Sequence, residues 1–182
     1  MGRLNGRRDY FEDEFRFGTR TELAKRWTAK GIRPEGRQNI GYEYGYLYVA
    51  VNPVSGRVFG LILPSMTVES MTVFVKEFRC WLEENNEAEA GTLLVLDGAG
   101  SHRSGRVDYG ELDKQILPPY SPELNPVERF FQELRRELKN KVYETYEEVE
   151  EAVEELFKKY LARPEAIKQL TNFHWLHTAP SY

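Results

Sequence analysis

Three carboxylates in this chain stand in local contexts where they could together bind divalent cations. Asp13 lies in an aromatic stretch (residues 10–17), Asp97 ends an apolar run (residues 93–96), and Glu128 follows the predicted start of a helix. Isolated acids beside apolar strands cost free energy unless something compensates their charge. A pair of divalent cations would compensate them, and two-metal sites cut or join phosphodiester backbones.

Asp97 is the strongest single candidate because it stands at the carboxyl end of a predicted buried strand. Ligand sites in open α/β sheets lie just beyond such ends, and the small residues at 98–101 leave room for a substrate backbone. The alternative is a turn aspartate that bonds its own backbone. His102 follows five residues later and could contact a phosphate or order a water, or be structural.

Asp13 and Glu128 each have an ordinary structural alternative. The period of two along a strand places Glu12 and Glu14 on one face and Asp13 on the other, with the core aromatics. On an edge strand, however, all three acids could be solvated. Asn125 and Glu128 have the spacing of a capping box, which would turn the Glu128 carboxylate back toward the start of its own helix.

The elements that must position these acids follow from the spacing of apolar residues. Their order predicts an α/β fold, a mixed sheet covered by helices. Residues 19–37 are predicted as a loop or short helix around Trp27. The other predicted elements are a strand over 9–17, a hairpin over 43–63, a helix over 67–84, strands over 92–96 and 116–117, a helix from Asn125 to about Lys141 and a last helix from near Thr145.

Composition narrows the class of protein. The length of 182 residues fits one domain, and 41% hydrophobic residues supply a core. The single cysteine, Cys80, excludes an internal disulfide framework and a Cys-rich zinc site, and is compatible with a reducing cytosol. No apolar run approaches the roughly 20 residues of a membrane span.

The net charge of −4 is unevenly distributed. Residues 1–40 hold ten Lys and Arg against six Asp and Glu, whereas residues 142–155 hold seven Glu and no Lys or Arg. Such a chain can bind DNA locally, with modest and salt-sensitive affinity. Basic or aromatic side chains could contact phosphates and bases, although helix arginines can equally pair with neighbouring acids and Trp27 could anchor the core. The candidates for DNA contact are Arg16, Trp27, Lys30, His102, Arg103, Arg129, Arg135 and Arg136.

Several strings together resemble one known family. Residues 13–18, 27–33 and 47–53 look like the first half of a DDE transposase catalytic domain, of the bacterial insertion-sequence relatives of mariner-type elements. Residues 95–102 resemble the family's second-aspartate motif, and residues 117–129 resemble its third-carboxylate motif.

This resemblance implies a ribonuclease H-like fold with a mixed five-stranded sheet, in which the first and fourth strands are neighbours and a helix packs across them. It implies that Asp13, Asp97 and Glu128 are the catalytic residues and the ligands of two Mg²⁺ or Mn²⁺ ions. The expected activity is metal-dependent DNA strand cleavage and strand transfer during transposition. The expected partners are transposon ends, target DNA and a second copy of the chain, with no membrane, in the bacterial cytoplasm at the nucleoid.

The domain organisation predicted from the sequence is a single catalytic domain over 1–182, with a core of about 9–141 and a helical extension of about 142–182. Relatives carry N-terminal helix-turn-helix domains, and none is found here, so a separate helix-turn-helix polypeptide could supply DNA reading. Ser101 also stands where relatives often have tryptophan. Two alternatives remain open: a partner-dependent or inactive DNA-binding remnant, and a ribonuclease H-like nuclease or resolvase that cuts without joining.

Overall fold

A mixed five-stranded sheet forms the centre of the structure, a computed structural model that describes residues 8–25, 27–31 and 35–178. The strand order is β3-β2-β1-β4-β5, so the first strand lies in the middle. The strands are β1 (Asp9–Gly18), β2 (Tyr44–Val51), β3 (Val58–Leu63), β4 (Leu93–Leu96) and β5 (Asp113–Ile116).

The central strand β1 brings two of the candidate acids to the same level of the sheet. It pairs antiparallel with β2 and parallel with β4, with Phe11 opposite Val95. Extending this register by two residues places Asp13 beside Asp97, and paired residues of parallel strands point to the same face. The predicted adjacency of the first and fourth strands, and with it the mixed five-stranded sheet, is confirmed.

Helices cover both faces of the sheet. The face that carries Phe11 and Val95 is covered by three helices, α3, α4 and α5, whereas α1 covers the opposite face. Residues 122–124 form one turn of 3₁₀-helix before α3. The helices are α1 (Val68–Glu84), α2 (Gly100–Arg103), α3 (Val127–Leu138), α4 (Tyr146–Leu161), α5 (Pro164–Thr171) and α6 (Trp175–Thr178).

Alternation along β1 explains why α3 lies where it does. Phe15 belongs to the same apolar core as Phe130 and Phe131 of α3, and its ring centroid is 5.4 Å from that of Phe131. Each buried Phe contributes roughly 1.5–3 kcal/mol through the hydrophobic effect. These contacts hold the axis of α3 against the central strand, so the residues just before and within its first turn lie near Asp13.

Three predicted elements differ from the observed ones. The strand predicted at 116–117 is β5, four residues long and offset toward the N-terminus, because its pairing with β4 includes the polar residues 113–115. The helix predicted to reach Lys141 ends at Leu138, and Asn140 then adopts a left-handed backbone conformation with φ of 60°. The residues after Asp97, where the sequence predicted no helix, include the short helix α2.

Among the residues of 19–43 that the structure describes, none lies in a helix or strand. Of the two predictions for residues 19–37, a loop or a short helix, the loop agrees with the structure. The segment is held at its base, where Thr21 N donates to Asn39 O at 3.0 Å. Within the described residues, no helix is long and apolar enough to cross a membrane.

Candidate active site

Asp13, Asp97 and Glu128 line a single open cleft of about 470 Å³, called here the carboxylate cleft. One acid comes from the central strand, one from the loop after β4 and one from the first turn of α3. The other residues that line it are Gly98, Arg103, Leu117, Pro118, Pro119, Tyr120, Ser121, Pro122 and Asn125.

The carboxylate of Asp97 has one oxygen held by the protein. Its Oδ1 accepts hydrogen bonds from Ala99 N at 2.8 Å and from His102 Nδ1 at 2.7 Å. The hydrogen bond from His102 is the main reason why the pKa of Asp97 lies below its usual range. About half of the side chain (51%) is exposed. Asp97 therefore forms the turn contact that the sequence allowed and also presents its carboxylate to the cleft.

Asp13 is held at the level of Asp97 by its own strand. Its Oδ1 accepts a hydrogen bond from Glu14 N at 2.9 Å. Burial raises the pKa of Asp13 to about 7, against this backbone hydrogen bond, and the charges of Glu128, Glu14 and Asp97 add to the rise. The charges of the other two cleft acids therefore oppose ionisation of Asp13.

Asn125 ties the central strand to the start of α3. Its Nδ2 donates to Glu12 O at 2.9 Å and lies 3.4 Å from Asp13 Oδ2. Its Oδ1 accepts from Val127 N at 3.2 Å, so the side chain also satisfies a free N–H at the helix start. The predicted cap thus has a second task, because one buried amide sets the position of α3 relative to Asp13.

The Glu128 side chain does not form the capping box that the sequence allowed. The backbone N–H of Asn125 donates to Pro122 O at 3.0 Å instead, and Glu128 Oε2 accepts from Arg135 at 3.4 Å. The Glu128 side chain is one-third exposed (33%) and lines the cleft. Its carboxylate is therefore available to the cleft and not consumed by the helix end.

A second group of ionisable residues lies on the opposite face of β1 and is called here the acid–histidine cluster: Glu12, Glu14 and His102. All three side chains are buried. His102 Nε2 lies 3.2 Å from Glu14 Oε1 and 3.5 Å from Glu12 Oε2. One ligand atom from each residue lies within 4.8 Å of the others, which suits a metal ion as well as a hydrogen-bonded cluster.

The solvated alternative for Glu12 and Glu14 is therefore wrong. Alternation along β1 correctly predicted that they share a face, but that face is covered by α1 and by His102 of α2. The signal was present in the sequence, since Tyr10 lies on the same face as the two glutamates and is fully buried. A contact between His102 and DNA does not fit the structure either, because the ring is fully buried.

Burial and neighbouring charges shift the pKa values of two members of the acid–histidine cluster. Burial lowers the pKa of His102, but hydrogen bonds to Asp97 and Glu14 and the charges of Glu12 and Glu14 outweigh burial and raise the pKa to about 11. Burial and the charge of Glu14 raise the pKa of Glu12 well above its usual range. Neither carboxylate oxygen of Glu12 has a hydrogen-bond partner among the described residues.

One candidate DNA-binding arginine lines the carboxylate cleft, and a second is paired with one of the acids of the cleft. Arg103 lines it, and Arg135 is paired with Glu128 at 3.4 Å. Arg136 pairs instead with its helix neighbours Glu133, at 2.9 Å, and Glu137. Arg129 is exposed and donates to Gln132 at 3.3 Å.

The remaining candidates lie away from the residues that line the cleft. Arg16 is exposed on β1, with its guanidinium 3.8 Å from the centre of the Tyr44 ring. Trp27 and Lys30 are exposed in the irregular segment, so Trp27 is not a core anchor. Sequence patterns did not single out Tyr120, which is fully exposed at the cleft with a φ of 59°.

Comparison with known proteins agrees with this architecture. Residues 8–150 match the family described as DDE superfamily endonuclease. A protein of Sinorhizobium fredii (strain NBRC 101917 / NGR234), described as uncharacterized protein y4pE/y4sA, is 29% identical over 136 residues, which are 74% of this chain and 98% of that protein.

The solved structures that resemble this chain include forms of the Mos1 mariner transposase. The Mos1 paired-end complex with Mn has a TM-score of 0.69 and 17% identity, over 97% of this chain and 57% of that chain. The crystal structure of the Mos1 catalytic domain has a TM-score of 0.63 and 16% identity, over 92% of this chain and 80% of that chain. This chain therefore spans about half the length of Mos1 in the paired-end complexes.

Because the Mos1 structures are only 16–17% identical to this chain, their likeness shows the fold alone. The family model covers most of the chain, residues 8–150, and this match shows the family. The mixed five-stranded sheet flanked by helices is the ribonuclease H-like fold of the Mos1 catalytic domain. The chain belongs to the DDE superfamily endonuclease family.

Proposed function

We propose that this chain is a transposase catalytic domain that cleaves DNA strands and joins them to target DNA with divalent cations. The observation that carries the proposal is the meeting of Asp13, Asp97 and Glu128 at one open cleft from three separate elements. The Mos1 structures support the choice of reaction, because they include a paired-end complex with a left transposon end and a strand transfer complex.

The residues of the cleft fit Mg²⁺ or Mn²⁺. Carboxylate oxygens are hard ligands of the kind that these cations prefer. The charges of Glu128 and Asp97 help to raise the pKa of Asp13, so the cleft gathers negative charge that a cation would offset. Mos1 itself forms paired-end complexes with Mn and with Mg. When bound, a pair of such ions supplies an activated nucleophile and stabilises the leaving oxygen of the phosphodiester.

The protein's own contribution is placement. The Oδ1 atom of Asp97 is fixed by Ala99 and His102, and Asn125 fixes the start of α3 against the strand that carries Asp13. We assign Asp13, Asp97 and Glu128 as cation ligands. We also assign Arg103, which lines the same cleft, as a contact to a DNA phosphate, and Arg135 as a second contact once Glu128 turns toward a cation.

The proposed partners follow from the reaction. Transposon ends and target DNA are the substrates, and joining two ends favours a homodimer on DNA in the bacterial nucleoid. A separate helix-turn-helix polypeptide could supply sequence reading. Cleavage at transposon ends should then increase when that partner is added.

A plasmid nicking assay tests the proposal. We expect wild-type protein with Mn²⁺ to nick supercoiled plasmid, and Glu128→Ala to abolish nicking. Glu123→Ala is the matched control, because Glu123 is exposed on the preceding 3₁₀ turn and does not line the cleft. Equal nicking by wild type and Glu128→Ala would contradict the assignment.

Oligonucleotides with a free 3′-hydroxyl then separate the possible activities. Joining of such an end to plasmid supports strand transfer, whereas cutting without joining indicates a nuclease or resolvase. An absence of both, with and without a helix-turn-helix partner, indicates an inactive remnant.

A further inference from the structure

We propose that His102 is a positioning residue that holds Asp97 in the orientation needed to bind a cation. Its Nδ1 lies 2.7 Å from Asp97 Oδ1, and His102 is not among the residues that line the carboxylate cleft. The proposal rests on the proposed function, since it assumes that Asp97 is a cation ligand.

The His102 ring is held at both ends. Its second nitrogen, Nε2, faces Glu14 Oε1 at 3.2 Å, and Glu12 Oε2 lies 3.5 Å away. The imidazole therefore connects Glu14 of β1 to Asp97 in the loop after β4. A ligand's orientation is set by such outer contacts, and their removal typically weakens metal binding about 10- to 100-fold.

The backbone of His102 is also fixed. Tyr109 Oη and Lys114 Nζ each donate to His102 O, both at 3.3 Å. These two bonds fix the main chain from which the ring projects, and the contacts of Nδ1 and Nε2 then set the orientation of the ring. A positioning group must be this constrained, because a productive ligand geometry tolerates only about 0.5 Å of displacement.

Asp97 needs such support because little else restrains it. Its side chain is 51% exposed, and the described residues give its Oδ2 no hydrogen bond. Two donors on Oδ1 leave Oδ2 as the atom that can turn to the cleft. Without His102, only the bond from Ala99 N would remain, and the carboxylate could rotate about it.

A buried metal ion held by the acid–histidine cluster is the rival explanation of the same geometry. The ligand atoms lie within 4.8 Å of one another, and Asp97 would then act as the outer partner of the histidine. The hydrogen-bonded form is favoured, because each ring nitrogen already lies within hydrogen-bond distance of a carboxylate oxygen.

Two substitutions of similar size test the contacts of the two ring nitrogens separately. His102→Asn places an amide near the position of Nδ1 and keeps a donor to Asp97. His102→Gln extends its amide to the position of Nε2, which keeps the contact with Glu14 and loses the one with Asp97. Glu14→Ala is a third variant, which removes the support of the ring but leaves Nδ1 in place.

The measurement is Mn²⁺ affinity by titration calorimetry, with unfolding midpoints recorded for each variant. We expect His102→Asn to bind within about threefold of wild type and His102→Gln about tenfold more weakly. Glu14→Ala should fall between them, and it tests the proposal if a His102 variant fails to fold.

Equal Mn²⁺ affinity in the Asn and Gln variants would overturn the proposal while leaving the proposed function intact. No Mn²⁺ binding by wild type would overturn both. Elemental analysis of the purified proteins tests the rival metal site. If wild type held one tightly bound metal ion per chain, and His102→Gln and Glu14→Ala did not, His102 would be a ligand of that ion and the positioning role would be overturned.

Discussion

Removing the charge of Asp13 should stabilise the metal-free protein above neutral pH. Its pKa of about 7, against an ordinary 3.8, means that the folded state holds a proton that the unfolded state has lost. The stability from this group is full below about pH 4 and is lost as the pH rises through about 7. Asn keeps the acceptor for Glu14 N but cannot ionise, so the Asp13→Asn variant escapes this loss.

The magnitude follows from the same two values. Their difference corresponds to about 4 kcal/mol at 1.36 kcal/mol per pH unit. Water at the open cleft reduces this, so we expect Asp13→Asn to be about 2–4 kcal/mol more stable than wild type at pH 8 and nearly equal to it at pH 4. Addition of Mg²⁺ should reverse the order at pH 8, since only wild type keeps all three carboxylates.

Urea denaturation in EDTA at constant ionic strength, from pH 4 to pH 8, measures the effect. The matched control is Asp113→Asn on β5, where the side chain is exposed. The pKa of Glu12 is raised first by burial and by the charge of Glu14, and less by the charge of Asp13, so the difference between the two proteins reports chiefly on Asp13. An Asp13→Asn variant with wild-type stability at pH 8, or with an unchanged slope between pH 4 and pH 7, would show that the pKa of Asp13 is not raised in the folded protein.

Three further predictions concern the cleft, the start of α3 and the packing of β3 against α4. Tyr120→Ala should weaken binding to DNA ends by about 1–3 kcal/mol in a fluorescence titration, with Tyr120→Phe retaining most of the affinity, because the exposed ring offers a base a stacking surface. Tyr42→Ala is the control, because Tyr42 is also exposed but lies in the irregular segment. If Tyr42→Ala weakened DNA binding as much as Tyr120→Ala, the contacts would be non-specific. Asn125→Ala should lower the free energy of unfolding by about 1–3 kcal/mol in urea denaturation, because Glu12 O and Val127 N lose their hydrogen-bond partner. The nicking activity should fall as well. Wild-type stability of this variant would contradict the role given to Asn125. Gly60→Val should destabilise by about 1–3 kcal/mol, since its Cβ would meet the Phe157 ring, and an unchanged Tm would show that the ring moves freely.

The framework of the fold could be predicted because local patterns determine it. The alternation along β1 predicted which acid shares a face with Phe11 and Phe15, and the structure agrees. The apolar run at 93–96 predicted a buried strand, and β4 occupies those residues. The predicted and observed boundaries of an element differ where strand pairing outweighs the hydrophobic pattern. In β5, residues 113–115 are polar but pair with β4.

The sequence singled out the three acids that line the carboxylate cleft, but not the contacts that support them. Spacing placed Asp97 and Glu128 at element ends, and the register of β1 and β4 then explains why Asp13 and Asp97 lie level. Nothing local shows that His102 reaches across to Glu14, because the sequence separation is 88 residues and the contact depends on how α2 folds over the sheet. The same holds for Asn125, whose amide reaches the backbone of Glu12 across 113 residues.

We propose that Asp13, Asp97 and Glu128 jointly hold divalent cations, and a crystal structure of the protein soaked with Mn²⁺, with anomalous scattering recorded, can locate those cations. We expect anomalous peaks in the carboxylate cleft within about 2.5 Å of oxygens from these three residues. A peak confined to the acid–histidine cluster, with none in the cleft, would contradict it.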